Sequence, residues 1–239
     1  MRSALLVLLA MAGIARAGER VPVVLELFTS EGCSSCPPAE ALLEQIDRKQ
    51  PITGVNAIVM AEHVDYWDNL GWRDPYASQF FTLRQDQYGR LFRLDSVYTP
   101  QMVVDGAIQV AGGDVDGILA AMRKSAAEPA VPVKLALQPD GRGVAVDIPA
   151  APDKKGVFLA IADDSVTTKV LRGENAGHEL HHVAVIRSIQ KIGIVSRSAG
   201  FSGTVPLEPH GGQRIIVFLQ DNALGRIAGA AMVRYPSTR

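Results

Sequence analysis

The sequence has few cysteines and no excess of charge of either sign. Cys33 and Cys36 are the only two cysteines among 239 residues, too few for a disulfide framework or a four-cysteine zinc site. Lysine and arginine number 24 and aspartate and glutamate 25, so nothing predicts binding to nucleic acid or an acidic solvating tail. Internal repeats are absent, Gly112-Gly113-Asp114 lacks the lysine of a phosphate-binding loop, and no Ser-His-Asp arrangement stands out.

The first 17 residues have the pattern of a signal peptide. Arg2 is followed by an uncharged, mostly apolar run from Ala4 to Ile14, and Ala15-Arg16-Ala17 fits the small-x-small cleavage pattern. The run is shorter than the roughly 20 residues that span a bilayer, although an uncleaved N-terminal anchor is an alternative. No later segment predicts a membrane span after cleavage. We therefore expect a periplasmic or secreted protein, in which disulfides persist.

The remaining chain is predicted to form two domains, 21–127 and 133–235, joined by a proline-containing linker at 128–132. The first has buried strands alternating with amphipathic helices, as in α/β folds. Its predicted elements are strands at Val21–Phe28, Val55–Ala61, Gln101–Val104 and Ala107–Val110, and helices at 37–48, 77–92 and 115–127. The second has short alternating segments that predict an all-β, sandwich-like domain. These are Val133–Leu137, Val144–Ile148, Val157–Ile161, Leu180–Ile186, Ile215–Leu219 and Ile227–Met232.

The Cys33-Ser-Ser-Cys36 motif lies between a predicted strand and a predicted helix. Helix N-termini favour a thiolate, the reactive form of cysteine. We expect Cys33 to be the exposed nucleophile and Cys36 to resolve a mixed disulfide. A structural disulfide is one alternative, although a loop of about four residues contributes only about 1.9 kcal/mol. A metal site completed by a histidine is the other.

Thr99-Pro100 directly precedes the predicted strand at 101–104. The order strand, CxxC, helix, strand, Thr-Pro and strand is typical of a thioredoxin-like domain, in which a cis-proline faces the cysteines. Pro100 would then shield the sulfurs from metal, and the backbone of Thr99 would pair with an extended substrate. An ordinary trans proline opening an edge strand is the alternative.

Four segments carry a resemblance to a known family: ELFTSEGCSSCPP, HVDYWDNLGWRDPYAS, VYTPQMVVDG and GENAGHELHHVAVIR. They resemble the signatures of a family of exported bacterial proteins of unknown function with a thioredoxin-like domain. The resemblance covers most of the mature chain. It implies a fold and a redox motif, and it supplies neither substrate nor reaction.

Glu26 and Glu31 are the acidic candidates near the motif. A buried Glu26 carboxylate beside the cysteines would have a raised pKa and shuttle a proton. Alternatively, Glu26 is exposed at the strand end or paired with an arginine. Glu31 is interpreted as a solvated loop charge, or as a group that tunes the thiolate.

A polar and aromatic segment follows the second predicted strand. Its candidate substrate-binding residues are His63, Tyr66, Trp67 and Trp72. Carboxyl ends of strands line the ligand crevice in open α/β sheets, and aromatic side chains there grip a peptide. His63 could also stabilise a thiolate or join a copper site. Alternatively, the two tryptophans pack a helix onto the sheet.

The sequence contains a histidine group at His178, His181 and His182. On a strand His181 and His182 point to opposite faces, so we predict no metal site from these three residues.

The leading functional hypothesis is an exported thiol–disulfide oxidoreductase. Its partners would be exported thiol or disulfide proteins and a redox partner, and no organic cofactor is implied because the sulfurs carry the electrons. The alternatives are a soft-metal, copper-binding or copper-delivery protein that uses the same cysteines, and a non-catalytic thioredoxin-like adaptor.

Overall fold

The structure is a computed structural model that describes residues 20–207 and 211–235. The predicted signal peptide at 1–17 lies outside the described residues. Within them, no helix is both long enough and apolar enough to cross a bilayer. The elements in chain order are β1 (Val21–Thr29), α1 (Pro37–Lys49), β2 (Val55–His63), α2 (Gln79–Phe92), β3 (Gln101–Val104), β4 (Ile108–Ala111), α3 (Val115–Ala126), β5 (Lys134–Leu137), β6 (Gly143–Ile148), β7 (Lys155–Lys169), β8 (Glu179–Val195), β9 (Phe201–Pro206), β10 (Gln213–Gln220) and β11 (Gly229–Arg234).

Local sequence signals account for the elements of the first half. Two prolines occupy the first positions of α1, where backbone N–H groups lack intrahelical partners. Asp114 caps α3 by accepting a hydrogen bond from the Gly117 N–H at 2.9 Å. The strands and helices predicted between 21 and 127 are confirmed, with bounds that differ by one or two residues. Strand β9 was not predicted.

The strands form two sheets, and the larger one draws on both halves of the chain. Its order is β11-β10-β7-β8-β2-β1-β3-β4, and the smaller sheet has the order β5-β6-β9. Strand β2 is parallel to β1 on one side, and on the other side Ala61 pairs in parallel with Val185 of β8. The sheets therefore do not divide at 128–132 as expected.

The physical reason is the length of two strands. The sequence predicted five-residue and seven-residue segments, whereas β7 has 15 residues and β8 has 17. The part of β7 beyond Ile161 pairs with the start of β8, and Val185 in that part of β8 pairs with Ala61 at the free edge of β2. A strand that pairs with β2 satisfies backbone groups that an edge would leave open.

The two faces of the larger sheet bury different cores. Leu25 and Leu27 of β1 pack with α1 and α3, whereas Val24 and Phe28 pack with α2 and with residues of β7 and β10. Successive side chains of a strand point to opposite faces, so α1 and α2 lie on opposite faces of β1.

A third core lies between the two sheets. Val144 and Val146 of β6 pack against Leu159 of β7 and Val217 of β10. Residues 133–235 thus form a layered β region, but its larger layer is the sheet that also contains β1 and β2.

Candidate functional site

The CxxC motif forms a tight turn between β1 and α1. Cys33 and Cys36 are joined by a disulfide, and their Cα atoms are 5.4 Å apart. The Cys33 N–H donates to Ser30 O and the Cys36 N–H donates to Cys33 O, both at 3.1 Å. Cys36 is the N-cap of α1, and its carbonyl accepts from the Ala39 N–H at 2.9 Å. Both sulfurs therefore belong to residues at the positive end of the α1 dipole.

The prediction that Cys33 is exposed is wrong. Both cysteine residues have 0% exposure, and the serines between them are exposed. The segment between β7 and β8, residues 170–178, covers the turn. Asn175 donates its side-chain amide to Cys33 O at 3.1 Å and to Glu31 O at 2.8 Å. Glu174 accepts a hydrogen bond from the Ser34 N–H at 3.2 Å.

Thr99-Pro100 borders the motif, and its peptide bond is cis, as expected. Pro100 O accepts from the Gly112 N–H at 2.9 Å. A β-carbon placed on Gly112 would lie 2.7 Å from Pro100 Cβ and 3.1 Å from Ala39 Cβ. Gly112 therefore separates Pro100 from the first turn of α1, and only glycine leaves room for this approach.

Trp67 links Thr99 to the motif. Its indole N–H donates to Thr99 Oγ1 at 2.9 Å, and a β-carbon on Gly32 would lie 3.0 Å from Trp67 Cβ. Neighbouring Tyr66 is 37% exposed and donates to Gln85 Oε1 at 3.2 Å. An aromatic surface thus borders the CxxC turn, although Trp67 also packs against the core beneath α2.

Trp72 and His63 have other surroundings. Trp72 donates its indole N–H to Glu31 Oε2 at 2.7 Å, so it stabilises the loop before Cys33. His63 is fully buried. Its burial removes it from any surface that a peptide substrate would touch.

A group of five buried polar residues lies beneath the motif, and we call it the buried histidine cluster. Its members are Glu31, Glu40, His63, Asp74 and His182. His63 Nδ1 lies 2.7 Å from Asp74 Oδ2, and His182 Nε2 lies 3.2 Å from Glu31 Oε1. His182 Nδ1 lies 2.7 Å from Glu40 Oε2, but the geometry is that of an ion pair without a directed hydrogen bond.

Charge pairing dominates the protonation of this cluster. Burial alone would lower the pKa of His182, but its contacts with Glu31 and Glu40 raise that pKa to about 10. Burial alone would raise the pKa of Glu40, yet its close contact with His182 holds that pKa below its ordinary value. Likewise, burial alone would raise the pKa of Asp74, but the contact with His63 outweighs burial and lowers that pKa.

Sequence reasoning placed only part of this cluster. His181 and His182 do point to opposite faces, because His181 is exposed and His182 is buried. The predicted solvated role of Glu31 is wrong, because its carboxylate is buried and bonded to Trp72 and His182. Glu40, Asp74 and His182 were missed as site residues. The available signal was the placement of Glu40 on the apolar face of α1, one helical turn after Cys36.

Glu26 lies on the other side of the sheet from α1. Its carboxylate pairs with Arg84 of α2 and accepts from the Tyr88 hydroxyl at 2.5 Å. The two neighbouring leucines of β1 face α1 instead. The structure thus matches the arginine-pairing alternative, and it does not bring Glu26 to the cysteines.

Comparison with known proteins assigns the chain to a family. Residues 24–220 match the model of a protein family of unknown function, DUF1223. A crystal structure of a protein from Agrobacterium tumefaciens is similar at 30% identity and a TM-score of 0.77, covering 93% of this chain and 98% of that one. HBP35 of Porphyromonas gingivalis is 15% identical with a TM-score of 0.51, covering 92% of this chain and 78% of that one, a likeness of fold alone. No curated protein matches. Because the family model spans both halves and the whole candidate site, the chain belongs to the DUF1223 family.

Proposed function

We propose that this protein is an exported thiol–disulfide oxidoreductase that acts through Cys33 and Cys36. The disulfide at the N-terminus of α1 is the observation that carries the proposal, because that position favours the thiolate after reduction. The cis Thr99-Pro100 bond on the neighbouring segment supports it. The order β1, CxxC, α1, β2, cis-proline and β3 is that of a thioredoxin-like unit, which we propose for this half of the chain.

The reaction conserves thiols and electrons. The Cys33 thiolate attacks one sulfur of a substrate disulfide, which forms a mixed disulfide and expels the other substrate sulfur as a thiolate. The Cys36 thiolate then attacks Cys33 Sγ, reforms the internal disulfide and releases the second substrate thiolate. The substrate gains two electrons that the dithiol loses, and the reverse sequence oxidises a substrate dithiol.

Access to Cys33 requires the covering segment 170–178 to move. Asn175 donates two hydrogen bonds to the loop of the motif, and Glu174 accepts one from the Ser34 N–H at the exposed surface. Opening the segment exposes a surface bordered by Trp67 and Tyr66. An extended thiol or disulfide protein would lie there beside the backbone of Thr99.

Trapping with oxidised glutathione tests this proposal. In the reduced full chain, Cys36→Ser should accumulate a mixed disulfide between Cys33 and glutathione, because the resolving sulfur is missing. Cys33→Ser serves as the matched control and should accumulate much less, because Cys36 caps the helix behind the turn. Mass spectrometry of the intact proteins measures both adducts.

Equilibration of the wild type in glutathione buffers supplies the second readout. A reversible Cys33–Cys36 couple with a measurable potential supports exchange. The proposed activity would be contradicted if the disulfide stayed oxidised in every glutathione buffer and Cys36→Ser formed no adduct. The disulfide would then have a structural role.

A further inference from the structure

The buried histidine cluster contains two ring nitrogens without hydrogen-bond partners. His63 has 0% exposure, yet its Nε2 has no partner. His182 is 1% exposed, and its Nδ1 makes no directed hydrogen bond although Glu40 Oε2 is 2.7 Å away. Buried polar atoms are nearly always paired, so both atoms need a physical explanation.

These atoms and the Glu40 carboxylate point into one small space. One ligand atom from each of Glu40, His63 and His182 lies within 4.8 Å of the other two. Tetrahedral ligands about 2.1 Å from a zinc ion are about 3.4 Å apart, so small side-chain rotations would complete a site. Two imidazoles and one carboxylate are a donor set that zinc uses when one coordination position stays open.

The opposite side of each ligand is held in place by another residue. His63 Nδ1 contacts Asp74 at 2.7 Å, and His182 Nε2 contacts Glu31 at 3.2 Å. Glu40 Oε1 accepts from the Thr29 hydroxyl at 2.5 Å. Pairs of a carboxylate and a metal-bound histidine recur at metal centres, where they fix the ring orientation and raise ligand basicity.

The charge of the cluster also favours a cation. Glu31, Glu40 and Asp74 bring three carboxylates into a buried space, and none of them pairs with a lysine or an arginine in the described residues. The ring of Tyr76 lies 5.4 Å from that of His63 and 5.9 Å from that of His182, which helps to exclude water. With both histidines as neutral ligands, a divalent ion would offset two of these three negative charges.

We propose that Glu40, His63 and His182 form a binding site for a divalent first-row metal ion, and that zinc fits this donor set. The site does not depend on the proposed redox function, because no sulfur is among its ligands. Nitrogen and oxygen donors also separate it from a soft Cu(I) site built on Cys33 and Cys36. The bound ion joins α1, β2 and β8 beneath the CxxC turn.

Equilibrium dialysis of the full chain against zinc, with the disulfide intact and after removal of metal by a chelator, tests the site. The wild type should bind one zinc per chain. Glu40→Gln and His63→Gln should weaken binding at least tenfold, because each removes a ligand, and Asp74→Asn should weaken it ten- to hundredfold. His181→Gln is the matched control, because His181 neighbours His182 but is exposed, and it should bind like the wild type.

Two further measurements keep the proposal falsifiable if a ligand variant does not fold. Zinc should raise the melting temperature of the wild type and of His181→Gln. The double variant Cys33→Ser, Cys36→Ser should still bind one zinc and give cobalt(II) visible bands of a nitrogen and oxygen site. Absence of stoichiometric zinc in the wild type, or loss of zinc with the cysteines, would overturn the site. Neither result bears on whether glutathione is trapped at Cys33.

Discussion

Arg84 stands between two buried carboxylates on the face of the larger sheet opposite α1. It pairs with Glu26 and lies 3.4 Å from Glu62. Burial, together with the charge of Glu26, raises the pKa of Glu62 well above its ordinary value. One arginine therefore balances the charge of this pair, and its removal would leave a buried charge uncompensated.

We expect Arg84→Met to lower the free energy of unfolding by about 3–5 kcal/mol, the range for a buried ion pair that loses one partner. Urea unfolding measures the loss. Arg90→Met, an exposed change on the same helix, should lower the free energy of unfolding far less.

Glu26 also tests the proton-shuttle hypothesis. In the Cys36→Ser background, Glu26→Gln should leave the amount of glutathione trapped at Cys33 within about twofold of the value for Cys36→Ser alone. A large fall in trapping would restore a catalytic role for Glu26.

Asp105 gives the stability of the protein a defined pH dependence. Burial raises its pKa to about 6, although the hydrogen bond that Val24 N–H donates to it acts in the opposite direction. The unfolded side chain titrates near the ordinary value of 3.8. Between these values the folded state binds more protons, so the free energy of unfolding falls as the pH rises from about 4 to 6.

Asp105→Asn should remove this contribution while it keeps an oxygen for the Val24 N–H. Relative to the variant, the wild type should lose of order 3 kcal/mol between pH 4 and pH 7. Urea unfolding of both proteins across this range measures the difference. Asp95→Asn, an exposed change, keeps Asp105 and should follow the wild-type pH profile. Parallel pH profiles for wild type and Asp105→Asn would refute the assignment.

At the scale of elements, the segment 170–178 controls access to the disulfide. Asn175 is 5% exposed, and its single amide group bonds two carbonyls of the CxxC loop. The loss of both bonds costs about 1–2 kcal/mol. That amount favours the open segment by a factor of about 5–30.

Asn175→Ala should therefore speed reduction of the Cys33–Cys36 disulfide by dithiothreitol about 5- to 30-fold. Thiol appearance followed by rapid alkylation gives the rate. Asn222→Ala is the control, because Asn222 is exposed and bonds Lys191. An unchanged rate in Asn175→Ala would mean that reductant reaches the sulfurs by another route.

At the scale of the whole molecule, one buried arginine ties the two halves together. Arg214 of β10 is 2% exposed and binds both carboxylate oxygens of Asp47 in α1 at 2.8 Å. It also pairs with Asp164 of β7. The larger sheet and this ion pair both cross the predicted linker at 128–132.

We expect residues 20–127 alone not to fold, because β2 would lose β8 and the core beneath α2 would lose β7 and β10. The full chain should instead unfold in one transition whose midpoint is the same by circular dichroism and tryptophan fluorescence. Arg214→Met should shift that single transition downward. Two separate transitions, or a folded fragment 20–127, would support the two-domain prediction.

The sequence by itself determined the local features of this protein. Hydrophobic periodicity, paired prolines and the Asp114 cap act within a few residues, so β1, α1, α3 and the position of the CxxC motif could all be predicted. The cis geometry of Thr99-Pro100 was expected only from the thioredoxin-like order of elements, and a trans proline was the alternative.

Only the tertiary structure decided what surrounds the cysteines. Asn175 lies 142 residues from Cys33 in the chain, and His182 lies 151 from Glu31, so no periodicity could bring them together. Both contacts depend on β8 pairing with β2, a long-range pairing set by strand lengths and by the packing of three cores. Burial of Cys33 and convergence of Glu40, His63 and His182 follow from that pairing, because it places the start of β8 and the segment before it beside the CxxC turn.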